Sequence, residues 1–474
     1  MSSAYQNGDP LATSALESLR AFVIAHRARG ADCNFEDFER ELRKHVSAFE
    51  AELVGEQLRL YDVESQEVRI DGAIYRRKAR NEAEYCGVSG SFRVERNTFV
   101  PRGGGRAVCP MELRAGIVEG HWTPQAARIM AHAVGCAPPR EASVFLEELG
   151  GMNPSTSSLD RIPKRLSEQW EKRREDFEQE LREQEVIPAE ATVVAVSIDG
   201  VYVPTKAGYE AKKRRVAEGK AQGPAGFREV ECGTVSLYDE EGERLETTRY
   251  GRAPQRNKAT LKEQVKAELE SIVKARPDLR VVAMADGARE NWEYFSELAK
   301  SLEIKTIEIV DFFHVSERLK KALDAYHGEN SAESKAAFEE FKVLLMEAED
   351  GVARVVRGLT YRRDRSTGWR RKTIESQLKY FRRYRSRMNY KEFLDEKLPI
   401  GTGVIEATCK TLATERLKRS GMSWSIPGIQ AVLTIRSLLQ SDRWNAGWKL
   451  LAEVYRETVE PIDRFSKRPL KMAG

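Results

Sequence analysis

The sequence predicts an α+β protein of several domains, centred on a mixed α/β core with helices on the faces of its sheet. Three observations predict it. The runs VVAVSIDG (Val193–Gly200) and RVVAMADG (Arg280–Gly287) are apolar and β-branched, read as buried strands, and each stops on Asp-Gly. Around and after them, strand and helix patterns alternate. The chain has 474 residues, too many for one ordinary core, so about two to four domains are expected.

Composition narrows the classes. An apolar share of 41% is enough to build those cores. The 78 Lys and Arg stand against 74 Asp and Glu, so the net charge of +4 says little about partners and its distribution must be read instead. No apolar run reaches membrane-spanning length and no basic-then-apolar leader opens the chain, which predicts a cytoplasmic protein. The six cysteines are scattered, the nearest pair being Cys86 and Cys109, and no CxxC occurs. Zinc-ribbon and thioredoxin signatures are therefore absent, and reduced, separate thiols are expected.

Taken in order, residues 1–10 are polar and expected to be loose. Residues 11–27 and 35–60 show helical spacing, as in Phe35, Phe38, Leu42, Val46 and Phe49, which predicts a helical amino-terminal region over 1–65. Residues 66–110 switch to alternation with turn glycines and aromatics and predict a small β-element, whose many arginines suit either phosphate contact or a solvated sheet face. Thr123-Pro124 and Pro139 open two helices, Gly150-Gly151 makes a turn, and a helix carrying Arg161, Lys164 and Arg165 follows. Helix, glycine turn and basic helix are the ingredients of a helix-turn-helix, although the same triplet also builds plain αα-corners. That last helix is expected to run on to about Glu185, as a spacer or a dimerising coil, giving a region 111–188.

Beyond Pro188 the pattern reads strand to Asp199, basic loop KKRRVAEGK, hairpin over 228–250, helix 260–275, strand to Asp286, helix 290–302 and strand IKTIEIVD to Asp311. This β, β, β, α, β, α, β order is that of a ribonuclease H-like core, assigned to residues 189–314 and 399–474, and functional residues gather at strand ends in such sheets. Residues 315–398 interrupt it as an all-helical insertion. Between Ala353 and Lys391 there are fourteen Lys and Arg against two acids, with Tyr361, Trp369, Tyr380, Phe381, Tyr384 and Tyr390 interleaved. A one-signed charge run mixed with aromatics is the footprint of nucleic-acid binding rather than of a merely solvated face. The glycine-rich turn Gly401-Thr402-Gly403 then leads into a helix bearing Glu406, with Arg416, Lys418 and Arg419 a few turns on.

Three carboxylates on separate elements, Asp199, Asp286 and Glu406, lie near basic surfaces and away from any nucleophilic Ser or Cys motif. That set suits divalent metal chemistry on phosphorus better than acyl transfer, with two Mg²⁺ (or Mn²⁺) ions roughly 3.5–4 Å apart as the usual arrangement. Asp199 is expected to bridge, Asp286 to serve one ion and Glu406 the other.

The segments SIDGVYVPTK, MADGARENW, VDFFHVSERL and GTGVIEATCKTLATERLKRSGMSWS, in that order over 191–448, resemble the bacterial insertion-sequence transposases of the ISKra type, DDE-class enzymes on a ribonuclease H-like core. The resemblance implies that Asp199, Asp286 and Glu406 form a catalytic triad, with a helical insertion before the glutamate. It also implies that Asp311 and His314, the DFFH pair, sit beside the metals, the plainer alternative being a satisfied structural Asp–His pair. Paired cysteines of relatives are missing from the β-element here, which puts a zinc site at Cys86 and Cys109 in doubt.

The function so implied is a DNA transposase that binds the terminal inverted repeats of its element, hydrolyses a phosphodiester and transfers the freed 3′-OH to target double-stranded DNA, acting as a homodimer or larger homo-oligomer at the bacterial nucleoid. The alternatives are a domesticated, non-catalytic DNA-binding protein and a structure-specific nuclease of the same fold. Expected DNA contacts are Arg161, Lys164 and Arg165, the run Lys212, Lys213, Arg214 and Arg215, the insertion residues Arg370, Arg371, Arg382, Arg383 and Arg385, and the Arg416, Lys418, Arg419 group.

Overall fold

The computed structural model describes residues 13–30, 34–220 and 226–462; the first ten residues and Cys33 lie outside them. The protein is a mixed α+β molecule with two sheets. It divides into two compact units, residues 1–177 with 444–474 and residues 178–443, so the segment from Trp444 onward, assigned to the core from sequence, clusters with the amino-terminal unit.

In the first unit α1 (Thr13–Arg29) and α2 (Phe35–Arg59) pair, α2 starting where Asn34 caps the Glu36 amide at 3.0 Å. A sheet follows with β1 (Glu67–Ile70), β2 (Ala73–Gly87) and β3 (Gly90–Pro101) in antiparallel succession, closed on β1 by the short strand Val459–Pro461. After α3 (Pro110–Ala115), Thr123 caps α4 (Pro124–Cys136), and α5 (Pro139–Leu149) turns through Gly150 and Gly151 into α6 (Thr156–Lys172). Gly151 is required there: its φ is +103°, and a Cβ would lie 2.5 Å from the Val88 carbonyl oxygen. The expected helix to Glu185 is broken, since Arg173 leaves helical geometry (φ −125°, ψ 20°) before α7 (Arg174–Gln184) resumes.

The second unit is built on a five-stranded sheet of order β6-β5-β4-β7-β8. Here β4 (Val193–Pro204), β5 (Phe227–Tyr238) and β6 (Arg244–Arg252) form an antiparallel meander, and β7 (Arg280–Ala285) and β8 (Thr306–Val310) continue parallel to β4. Two sequence expectations fail at β4. The strand does not end on Asp199 but runs on to Pro204, with Asp199 opposite Cys232 and Gly200 opposite Glu231. Gly200 serves a crossing rather than a turn, because a Cβ there would fall 2.0 Å from the Glu229 carboxylate. The KKRR stretch, expected as a loop, is instead α8 (Lys206–Ala217), started by Thr205 capping Gly208.

Helices cover both faces of this sheet. α9 (Ala259–Ala275) approaches at Gly233, where a Cβ would meet Val265 at 2.8 Å, and Gly251 gives Leu412 and Leu433 the same access from the other face. α10 (Arg289–Leu302) links β7 to β8, and α11 (Phe312–His327) leaves β8 directly. Then come α12 (Ala332–Glu347), α13 (Gly351–Asp364), α14 (Gly368–Arg383) and α15 (Tyr390–Asp395), the expected helical insertion. Its aromatics are mostly core: Phe381, Tyr384 and Tyr390 are buried, and among the six only Tyr361 and Trp369 are exposed. The chain returns through α16 (Gly403–Thr408), a π-helical turn over Cys409–Thr414, α17 (Glu415–Leu417) and α18 (Ile426–Gln440). Among the described residues, no helix is long and apolar enough to cross a membrane.

Candidate metal centre

The parallel pairing of β4 with β7 ends at Ser197 and Met284, and Asp199 and Asp286 each come two residues after that last pair. Asp199 is on the continuing strand; Asp286 is the first residue past β7, where its carboxylate accepts the Ala288 amide at 2.9 Å and the Asn291 side chain at 3.3 Å. The turn behind it is clamped by the insertion. A Cβ on Gly287 would lie 2.1 Å from the Tyr380 ring, and the Tyr384 hydroxyl donates to the Gly287 carbonyl at 2.8 Å.

A second pair of elements brings in the other acids. Asp311 caps α11 and is wholly buried, accepting the His314 amide at 2.9 Å and the Thr402 amide at 2.8 Å. His314 Nδ1 lies 2.6 Å from the same Asp311 carboxylate and 3.9 Å from Glu406 Oε1. Thr402 Oγ1 donates to Glu406 Oε1 at 3.2 Å. Glycine makes this approach possible, because a Cβ on Gly401 would reach the Phe313 ring at 3.0 Å. One turn beyond Glu406, the Cys409 thiol points at Asp199 Oδ2 from 3.8 Å. The helix that carries Glu406 is thus seated against the strand that carries Asp199.

Electrostatics follow the geometry. Burial pushes the Asp199 carboxyl above its usual range, and the Asp286 charge adds to it, while Lys258 and His314 act the other way. Asp311 behaves oppositely: burial would raise it, but the hydrogen bonds from His314 and Thr402 hold it below the carboxylate range. His314, hydrogen-bonded to Asp311 and facing Asp286, is raised to about 9 and is a cation at neutral pH. A ring held charged by the acids around it means that this position favours positive charge.

Among the described residues, the one group of at least three His, Cys, Asp or Glu whose ligand atoms lie within 4.8 Å of one another is Asp311, His314 and Glu406. The sequence-derived triad of Asp199, Asp286 and Glu406 is not such a group among the described residues: Asp199 is linked to the Glu406 helix through Cys409, and Glu406 to Asp311 through His314. Sequence reasoning missed Thr402 and Cys409, although both sit in the GTGVIEATCK segment that marks Glu406. It also missed Lys258, which follows Asn257 in consecutive left-handed conformations (φ 54° and 58°) and pairs with Glu229 at 3.2 Å.

Near that pair, Glu231 is buried on β5 with the Gln255 side chain donating to it at 2.8 Å, and burial pushes its carboxyl up to about 7. A carboxyl raised on folding holds its proton better in the folded state, so its ionisation costs stability as pH rises from the ordinary carboxylate range to about 7. Glu231→Gln is therefore expected to raise the unfolding free energy by about 1–3 kcal/mol at about pH 8 and by little near pH 5. Denaturant titrations at the two pH values check this; an equal effect at both contradicts it.

The expected DNA contacts divide. Lys213, Arg214 and Arg215 are exposed on α8, with Lys212 half-buried, and Arg382, Arg383 and Arg385 are exposed on and just after α14. Arg370 and Arg371 are exposed at the start of α14, and Lys418 and Arg419 are exposed after α17. Arg161 is exposed on α6, but Lys164 is tied to Asp160 at 2.6 Å and Arg165 to Glu168 at 3.0 Å, which leaves that face close to neutral. Arg416 is a correction: it is 2% exposed and lies over the Trp424 ring at 5.2 Å, a core residue that no phosphate reaches. Along α11, next to His314, a cavity of about 920 Å³ is lined by Phe313, Trp369, Lys321 and Arg370 among others.

No protein-family model matches the chain, and neither the curated proteins nor the solved structures give a match.

Proposed function

We propose that this chain is a metal-dependent DNA transposase of the DDE class, similar to the ISKra type, with a ribonuclease H-like core. The observation that carries the proposal is the placing of Asp199 and Asp286 each two residues past the last pair of the parallel strands β4 and β7, with the Glu406 helix docked against β4. The sheet order, an antiparallel meander followed by two parallel strands, supports the ribonuclease H-like core.

The donor set fits hard divalent cations. All three acids offer oxygen, Glu406 is open to solvent, and the mutual repulsion that helps raise Asp199 is what a bound cation relieves. Asp199 and Asp286 would hold one Mg²⁺ or Mn²⁺, and Glu406, with Asp199 shared, a second. Such ions supply activation of an attacking oxygen and charge stabilisation at phosphorus. The chain does the rest: the Asp286 turn is locked by Tyr380 and Tyr384, Asp311 fixes the His314 ring, and Thr402 steers Glu406.

DNA would lie along exposed cations of α8 and α14. Charge reversal at Arg382, Arg383 and Arg385 together is expected to weaken DNA binding and to reduce the slope of log affinity against log salt by about 2–3. Fluorescence anisotropy at several salt concentrations measures it, and an unchanged slope removes the insertion from the interface. The function itself is tested by incubating the protein with end-labelled terminal repeats, target plasmid and Mg²⁺ or Mn²⁺. Joined donor–target products support a transposase; cleavage without joining points to a nuclease, and binding without cleavage to a non-catalytic binder.

A further inference from the structure

We propose that the far end of β4, past Asp199, seats a single unpaired DNA strand, with Tyr202 as the platform for one base and Lys258 as the contact for a backbone phosphate. The inference deepens the function proposed above and rests on it.

The register of β4 with β5 defines the face. Gly200 stands opposite Glu231 and Tyr202 opposite Glu229, so these four positions share one side of the sheet. Past Ser197 the strand has no β7 partner and keeps a strand neighbour on the β5 side only. Tyr202 is 58% exposed, and among the described residues its ring and hydroxyl make no ring contact or hydrogen bond. It is also the one exposed large apolar side chain among the described residues of the five-stranded sheet. A single exposed ring is ordinary by itself; the cation beside it sets this one apart.

Three local rules are broken at Lys258. It is left-handed (φ 54°) without being a glycine, it puts a cation at the start of α9 where the helix dipole disfavours one, and its side chain is only 16% exposed. Positions that break local rules together are where function is expected. The ammonium lies 3.2 Å from Glu229 Oε1, and that carboxylate lies over Gly200, where a Cβ would collide with it. Lys258 is thus placed over the residue next to Asp199, and its charge is felt at the Asp199 carboxyl. Glu229 does not by itself account for the lysine, since a carboxylate 38% exposed is solvated without a partner.

Glu229 links the two contacts, being opposite Tyr202 in register and ion-paired with Lys258. A flat aromatic face beside a cation takes a base and its phosphate whatever the sequence. A base reaches Tyr202 only by leaving its own stack, so the strand held here is unpaired. The exposed cations of α8, beginning at Lys206, continue the path beyond it.

The experiment uses the full-length protein in chelator and a fluorescein-labelled single-stranded oligonucleotide, with anisotropy read over a range of salt concentrations. Lys258→Met is expected to reduce the slope of log affinity against log salt by about 0.7, the share of one phosphate on a single strand, while Lys258→Arg keeps it. Tyr202→Ala should lose about tenfold in affinity with the slope unchanged, and Tyr202→Phe should bind as the parent does. A lysine that served Glu229 alone would lower the melting temperature on removal and leave the slope as it was. If Lys258→Met does not fold, Lys258→Met with Glu229→Gln, compared with Glu229→Gln alone, gives the same reading without a stranded charge. An unchanged slope without Lys258, an unchanged affinity without the Tyr202 ring, or a parent that does not bind the oligonucleotide overturns the inference. DNA cleavage with Mg²⁺ or Mn²⁺ on the same preparations separates the two proposals. A protein that cuts DNA but binds the strand without Tyr202 and Lys258 defeats only this one, and a protein that binds it through both but never cuts defeats only the assigned function.

Discussion

Asp199→Asn, Asp286→Asn and Glu406→Gln, each made alone, are expected to lower metal-dependent DNA cleavage on the order of a thousandfold, the scale of several kcal/mol of lost charge stabilisation. The three amides keep the shape of the acids but lose the charge, so folding is preserved while cation binding is not. Asp199→Asn should do more: it removes a half-buried carboxylate that the Asp286 charge repels, so the metal-free variant is expected to melt at or above the parent temperature. The sign can be followed through pH. The folded-state value of Asp199 lies above its unfolded one, so the folded chain binds the extra proton, and stability from this group is greatest below the carboxylate range and falls as pH rises through it. The stabilising effect of Asp199→Asn should accordingly be largest near neutral pH and vanish in acid. End-labelled cleavage assays and thermal melts in chelator measure both. Any one variant cutting at the parental rate removes that residue from the centre.

The acids are legible in the sequence because their surroundings are. An apolar β-branched run has few alternatives to a buried strand, and an acid at its end stands out against it. The same logic fails locally at Asp199-Gly200, where the dipeptide suggests a turn. The strand continues because the Glu229 side chain crosses at Gly200, a tertiary demand for a missing Cβ that a single strand's sequence cannot announce. KKRR reads as a loop because charge hides helical period; Thr205 capping Gly208 is the available signal. The aromatics of the insertion illustrate a different limit. Spacing places Phe381 and Tyr384 in one helical stretch, but only packing decides that they face inward while Trp369, 65% exposed, faces out. Arg416 shows the same for charge, since its burial against Trp424 depends on a partner further along the chain, across a turn. The break at Arg173 carries no proline or glycine to mark it.

Arg443→Ala is expected to destabilise the second unit severely, by about 3–5 kcal/mol. Its guanidinium is 5% exposed and meets the Glu268 carboxylate, 3% exposed, at 2.6 Å. The same group donates to Glu185 at 2.5 Å and to the Tyr250 hydroxyl at 3.1 Å, while Tyr250 itself donates to Glu268 at 2.6 Å. Burial would raise Glu268, yet Arg443 holds it below the carboxylate range, so removing the cation strands a buried negative charge. The network ties the sheet, through Tyr250 on β6, to α9 and to the chain leaving α18, and its loss loosens all three together. Truncation of both buried partners tells attraction from stranding: Arg443→Met with Glu268→Leu should cost less than Arg443→Ala alone, because no buried charge is left unpaired and Glu185, the other partner, is open to solvent. Chemical denaturation of the single and double variants makes the comparison. If the double variant is the less stable, the network contributes net attraction beyond its desolvation cost, and the stranded charge is not what makes the single substitution severe.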